Sequence, residues 1–193
     1  MTVGLGTGST VAYLLVALAR RRLDIRCVAT SPATFDTARR LELDVRPFTG
    51  IDHLDVVIDG ADQVDPEGWL VKGGGGAQTR EKIVAAAATR YVVIVSSNKM
   101  VESLAAPVPL ELLSFGLDAT LRVLGDACVS DKPSSPDNGV LVDYFGPIGD
   151  PGELASRFSA IPGVLEHGLF APAMVSRIFI GQSNQVLRRR PGD

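Results

Sequence analysis

Cysteine is scarce in this 193-residue chain: Cys27 and Cys128 stand far apart and in no ligand spacing. That argues against a disulfide framework or a zinc site and fits a reducing, cytoplasmic compartment. Long apolar runs are missing too, so no segment reads as a membrane span, and no signal-peptide pattern precedes the first motif. Positive charge is not in surplus. A formal net charge of -3 gives no basis for a nucleic-acid partner, and the triplets Arg20–Arg22 and Arg188–Arg190 are too short to change that. The first triplet closes a helix, where cations meet the negative end of its dipole, and the second reads as a solvated tail. His53 and His167 are the only histidines; neither has a partner at a useful spacing, and both read as structural or exposed. Repeats and low-complexity tracts are absent. With 46% hydrophobic and 21% charged residues the composition is that of a globular protein, which excludes disorder. The length suits one domain, or a main domain with a smaller one attached.

The first half alternates short apolar runs with helical patterns. Val3–Leu5 reads as a strand, followed by a turn at Gly6–Thr10 and a helix whose Val11, Leu14, Leu15 and Leu18 form one apolar stripe ending near Arg22. Ile25–Ala29 is a second strand. Ser31 caps the next helix with Pro32 at its first position, and the helix is expected to run to about Leu43. Leu54–Ile58 and Tyr91–Val95 read as strands buried on both faces, with a glycine loop at Lys72–Gly76 and a helix at Thr79–Thr89 between them. This rhythm predicts a doubly wound, mostly parallel Rossmann-like α/β sheet. After Ser103 the pattern changes. Strands at Val108–Leu112, Gly139–Phe145 and Val164–Phe170, with helices at Ser114–Leu124 and Pro151–Ser159, predict a small α+β domain of ferredoxin-like, split βαβ type. It spans 107–170 and is inserted before closing strands at Val175–Ile180 and Gln185–Leu187, so that 1–106 and 171–193 form the main domain. Lys132–Pro136 is its exposed loop.

Four motifs carry chemistry. Gly6–Thr10 sits between strand and helix, where free backbone N–H groups and the helix dipole hold a phosphate and the Ser9 and Thr10 hydroxyls add donors. Taken alone it is equally a tight turn before a helix. It lacks the Gly-Lys-Ser/Thr ending of a nucleotide P-loop and the third glycine of a dinucleotide fingerprint. Asp59, Gly60, Ala61 and Asp62 follow an apolar strand, at the edge where α/β sheets bind ligands; the alternative is an ordinary turn. The run of aspartates from Asp52 to Asp65 matches no calcium loop, and no metal is expected. Lys72 leads four glycines, Gly73–Gly76, which cost entropy to order and are seldom kept idly; a bare lysine there can stabilise negative charge on a substrate. Glu81 shares a helix face with Val84, Ala85 and Ala88, so it points toward the sheet and the crevice. Alone, it is also a helix N-terminal acid. Lys99, after Ser96–Asn98, reaches the same edge and reads either as an anion partner or as a surface lysine.

Together these stretches resemble the type A ribose-5-phosphate isomerase family. The matching segments are Gly4–Thr10, Ile58–Asp62, Val71–Gly75 with Thr79–Lys82, Ser97–Lys99, Asp137–Gly139, and Ile161–Val164 through Gly168–Phe170. The resemblance implies an isomerase of ribose 5-phosphate and ribulose 5-phosphate, without cofactor, that forms a homodimer or homotetramer. It implies that Thr7, Gly8, Ser9 and Thr10 bind the sugar phosphate, and that Asp59–Asp62 and Lys72–Gly75 line the sugar site. It makes Glu81 the catalytic base and Lys99 a further contact. Lys72 would stabilise the enediolate oxyanion while Asp59 and Asp62 shuttle protons on the oxygens or help open the ring. Burial would raise the proton affinity of Glu81, whereas the dipole and Lys72 would lower it. The chain departs from the family in three places. Only Met1–Leu5 precede Gly6, where the family carries an N-terminal helix; Leu110–Ser114 lacks an expected proline; and Ala127–Pro136 matches poorly. Two other readings remain: a sugar-phosphate binding module without catalysis, and a degenerate paralogue or a start codon set too late.

Overall fold

The computed structural model describes all residues, 1–193. The main lobe begins with β1 (Thr2–Leu5), α1 (Ser9–Arg21), β2 (Arg26–Ala29), α2 (Pro32–Arg40), β3 (Asp44–Arg46) and β4 (Val56–Asp59). Two short strands, β5 (Gln63–Val64) and β6 (Leu70–Val71), lead to α3 (Gln78–Ala86) and β7 (Tyr91–Ser96). The small lobe contains β8 (Val108–Leu112), α4 (Leu117–Leu124), β9 (Ala127–Val129), β10 (Val140–Tyr144), α5 (Pro151–Ser159) and β11 (Val164–His167). The chain returns through β12 (Leu169–Phe170) and closes with β13 (Arg177–Gln182) and β14 (Gln185–Arg189).

The main sheet has the order β14-β13-β7-β4-β1-β2-β3, and every neighbouring pair is parallel except β13 with β14. Strand alternation fills both faces. On β2 and β4, Cys27 and Val56 join α1 and α2 in one apolar cluster, while Val28 and Val57 join Val84 and Ala85 of α3 in another. The sheet is thus doubly wound, with α1 and α2 on one face and α3 on the other. The small lobe runs β-α-β-β-α-β with sheet order β11-β8-β10-β9, the expected split βαβ arrangement, around its own core of Leu110, Leu112, Tyr144 and Phe158. No helix is long and apolar enough to cross a membrane.

Local chemistry explains the helix starts. The Ser31 side chain accepts from the Thr34 N–H and Asp150 from the Glu153 N–H, each ahead of a proline at the first helical position. Several boundaries differ from the sequence reading. The second helix stops at Arg40 rather than near Leu43, because Glu42 turns to a left-handed φ of 59° and β3 follows as an edge strand. The fourth helix starts at Leu117, after Gly116 has turned the chain, not at Ser114. Arg188 and Arg189 are not a free tail: they belong to β14, paired with Phe179 and Ile178.

The expected strand Val164–Phe170 is two strands in two sheets. Val164–His167 pairs with β8, whereas Leu169–Phe170 pairs with β6, completing a small antiparallel sheet β12-β6-β5. Gly168 makes the switch. Any side chain there would run into the Lys72 carbonyl, 2.1 Å from the position of a Cβ, and that close approach lets the Lys72 N–H donate to Gly168 O at 2.8 Å. The small sheet therefore holds the start of the glycine loop in place.

Candidate active site

The chain runs outward from β1 to β2 and β3, then crosses back to β4 on the other side of β1. That crossing opens a crevice at the carboxyl ends of β1 and β4, where Gly6–Thr10 and Gly60–Asp62 face each other. The glycine loop after β6 and the first turn of α3 close it. Thr7, Gly8, Ser9 and Thr10 form one wall, Gly60, Ala61 and Asp62 a second, and Lys72–Gly75 with Glu81 the third. The enclosed space is about 80 Å³, and Thr7, Gly74 and Gly75 also border an adjoining groove of about 410 Å³ that leads to Lys132.

The floor of the pocket is a buried charge cluster. Lys72 is 3% exposed; its Nζ donates to Gly60 O at 2.5 Å and stands 3.1 Å from Asp59 Oδ2 and 3.2 Å from Glu81 Oε2. The Phe170 ring lies 5.5 Å from the same ammonium. Glu81 is 4% exposed, and that remnant opens on the pocket it lines. Asp59 is fully buried and lines nothing. Its Oδ1 accepts from the N–H groups of Thr7 at 3.1 Å and Gly60 at 2.7 Å, tying two walls together from below. Gly6 makes room for it, since a Cβ at that position would fall 1.8 Å from Asp59 Oδ1. Asp62 is half-buried and lines the pocket, its Oδ2 accepting from the Gly74 N–H at 2.8 Å.

Burial governs the electrostatics. Desolvation and then the negative charge of Asp59 push Glu81 up to about 8, against the downward pull of Lys72. Desolvation also raises Asp59, opposed by Lys72 and the two N–H donors. Burial pulls Lys72 down, but Asp59 and Glu81 overcome it and hold its ammonium well above the lysine range. One fixed cation thus serves two buried acids, and burial raises the proton affinity of both. At the opposite wall α1 begins without a side-chain cap and without an acid in its first turn, so its N-terminal N–H groups stay free to meet an anion.

Every residue expected at the site lines the pocket except two. Asp59 lies beneath the pocket rather than in its wall, because the alternation of β4 sends it to the α3 face along with Val57. Lys99 sits half-buried in a single 3₁₀ turn after β7, outside the residues that line the pocket. Lys72 is not the bare lysine expected: its N–H groups already face Gly60 O and two carboxylates. Sequence reasoning missed Phe170 and Tyr91 as walls of the lysine chamber, since both read as ordinary core residues. His53 is exposed and His167 is buried, where desolvation lowers its pKa to about 4. A larger cavity of about 650 Å³ lies beside α2 and α3, among Phe35, Phe48 and Ile83; its arginines, Arg46 and Arg80, are already paired with Asp44 and Asp137.

Residues 26–185 match the family described as ribose 5-phosphate isomerase A (phosphoriboisomerase A). A ribose-5-phosphate isomerase A of Bradyrhizobium diazoefficiens is 40% identical over 215 residues, spanning 98% of this chain and 89% of that protein. One from Methanosarcina acetivorans is 43% identical over 205 residues, spanning 97% and 86%. The solved structure of ribose 5-phosphate isomerase A from Neisseria gonorrhoeae superposes with a TM-score of 0.93 at 30% identity, covering 98% of this chain and 88% of that one. A D-ribose-5-phosphate isomerase in complex with phospho-erythronic acid superposes with a TM-score of 0.90 at 31% identity, covering 98% and 90%.

Proposed function

The chain belongs to the ribose 5-phosphate isomerase A family, and from that premise we propose that its pocket interconverts ribose 5-phosphate and ribulose 5-phosphate with Glu81 as the proton carrier. The observation that carries this reading is the buried Glu81–Lys72–Asp59 cluster opening on a polar pocket beside an uncapped helix N-terminus.

The phosphate goes to the Gly8–Thr10 end, where the α1 dipole and free N–H groups favour negative charge. In the open-chain aldose, ionised Glu81 takes the proton from C2. The C2–H electrons become the C1–C2 double bond, and the C1 carbonyl electrons move to O1, giving an enediolate. Glu81 returns the proton to C1 and the C2 carbonyl forms as the proton on O2 passes, by way of Asp62, to the oxyanion at O1. The electron count closes with no external oxidant. Asp62, in the pocket wall, moves protons on the oxygens and assists ring opening. Lys72 supplies the positive charge of the floor; it lowers the proton affinity that burial gives Glu81 and faces the developing oxyanion with the glycine-loop amides. Asp59 acts from below by holding Lys72 and the Thr7 and Gly60 amides. A proton affinity near 8 suits a group that must both take and give a proton near neutrality.

Residues 1–106 with 171–193 make up the catalytic domain in this reading, and 107–170 the smaller one. Self-association as a homodimer or homotetramer is supported by exposed Phe115 in the small lobe and exposed Val186 and Leu187 on the edge strand β14; light scattering in solution checks it. Free Cys27 and Cys128 support a reducing, cytoplasmic setting. The central test is incubation with ribose 5-phosphate and detection of ribulose 5-phosphate, with Glu81→Gln beside the wild type. Loss of turnover by at least ~100-fold in the variant is expected. Equal turnover in the two proteins would remove Glu81 from the mechanism.

A further inference from the structure

Helix α3 carries Glu81 but does not fasten its own start. Ala77 provides no side-chain cap, and the buried Gln78 amide has no hydrogen-bond partner. The first turn is fastened instead to the small lobe. Thr79 Oγ1 donates to Glu111 Oε2, and Arg80 forks onto Asp137 with two bonds of 2.7 Å. On the far side of Glu81, Lys82 donates to Glu166 at 2.6 Å and to His167 O at 2.7 Å.

Glu111 differs from the other acids in this set. It lies on β8, is 1% exposed, and touches none of the pocket. Its other oxygen accepts from Ser135 Oγ, which in turn accepts from the N–H groups of Asp137 at 3.2 Å and Gly139 at 3.0 Å. One buried carboxylate thereby joins the first turn of α3 to the loop that presents Asp137 to Arg80. A buried carboxylate is costly unless fully satisfied, and a strand that needed only packing would carry an apolar residue here.

We propose that Glu111 is a positioning residue for the reaction: through Thr79 and Ser135 it fixes the first turn of α3 and hence the direction of the Glu81 carboxylate. The inference rests on the reading of Glu81 as the base. It makes the small lobe part of the catalytic apparatus, although none of its residues lines the pocket.

The test compares Thr79→Val, Glu111→Leu and Glu111→Gln, each shown to be folded by circular dichroism at the assay temperature. Thr79→Val and Glu111→Leu are expected to lower kcat by ~10- to 100-fold, the loss that a misaimed reacting group brings. KM for ribose 5-phosphate should change by less than about threefold, because the pocket walls are untouched. Glu111→Gln, which can still accept from one hydroxyl and donate to the other, should recover most of the rate. The double variant Thr79→Val/Glu111→Leu should be no slower than the slower single, since both changes cut one connection. Unchanged kcat in a folded Glu111→Leu protein overturns the proposal, as does a loss confined to KM or a double variant whose losses multiply. Should Glu111→Leu fail to fold, Thr79→Val decides alone, because it removes only a hydroxyl. Full activity in Glu81→Gln would instead defeat the underlying reading of the base. An inert Glu81→Gln beside a normal Thr79→Val defeats only the positioning role.

Discussion

Replacing Lys72 with methionine removes the single cation between two buried carboxylates while keeping most of the side-chain volume. In the wild type the ammonium stands 3.1 Å from Asp59 and 3.2 Å from Glu81, with Asp59 fully buried and Glu81 nearly so. Breaking a buried ion pair by removing one partner costs roughly 3–5 kcal/mol, because the remaining charge keeps its desolvation penalty. Here the burden is pH-dependent. Even with Lys72 present, Glu81 is displaced from 4.5 to about 8, which at ~1.4 kcal/mol per pKa unit disfavours its ionisation by roughly 5 kcal/mol. Without Lys72 both carboxylates rise further. A carboxylate raised on folding binds its proton more tightly in the native state than in the unfolded one, so stability falls as pH climbs from the unfolded value toward the folded one. The variant should therefore lose roughly 3–5 kcal/mol near pH 8 and markedly less near pH 5, where the native carboxylates hold protons. Urea titrations at the two pH values measure this directly, and kcat/KM at pH 7.5 should fall by at least ~100-fold. Equal destabilisation at both pH values, or a loss under about 1 kcal/mol at pH 8, would refute the account of Lys72 as the charge that makes two buried acids tolerable.

The pH dependence of the wild-type enzyme follows from the same cluster. The acid limb of kcat/KM, which reports ionisation of the base in the free enzyme, should lie well above the ordinary carboxylate range and near 8, with activity rising as pH increases through it; a limb near 4.5 would contradict the buried environment of Glu81. Gly6→Ala should destabilise the protein by more than about 2 kcal/mol, because the new methyl group would overlap the Asp59 carboxylate and dislodge the ties to Thr7 and Gly60. A thermal melt unchanged from wild type would show that the β1 turn does not press on Asp59.

Gly6–Thr10 and Asp59–Asp62 were legible in the sequence because each follows an apolar strand directly, and the glycine loop because four glycines in a row are seldom kept idly. The inward direction of Glu81 was legible from helical spacing, since Val84 and Ala85 mark its face, whereas its role as base came only from the resemblance. What escaped was whatever depends on contacts far apart in the chain. The enclosure of Lys72 needs β12 to arrive beside β6 from almost a hundred residues away. Short edge strands such as β3 and β9 carry little periodicity, so neither was foreseen. Glu111 was passed over because Val108–Leu112 reads as a plain strand. Its signal was present nonetheless, as a lone acid inside a run buried along its whole length must find donors on the opposite element.

The connectivity of the main sheet also sets the order in which it can be completed. Val92 of β7 pairs with Arg177 of β13, so the whole small lobe is synthesised between the two partners. During that interval the loops that build the pocket already exist, yet β7 presents an unpaired edge with Val93 and Val95 beside it. Closing so long a loop is slow, and an exposed apolar edge invites pairing with other chains. The ferredoxin-like insertion thus lengthens the interval before β13 and β14 cover the edge of β7.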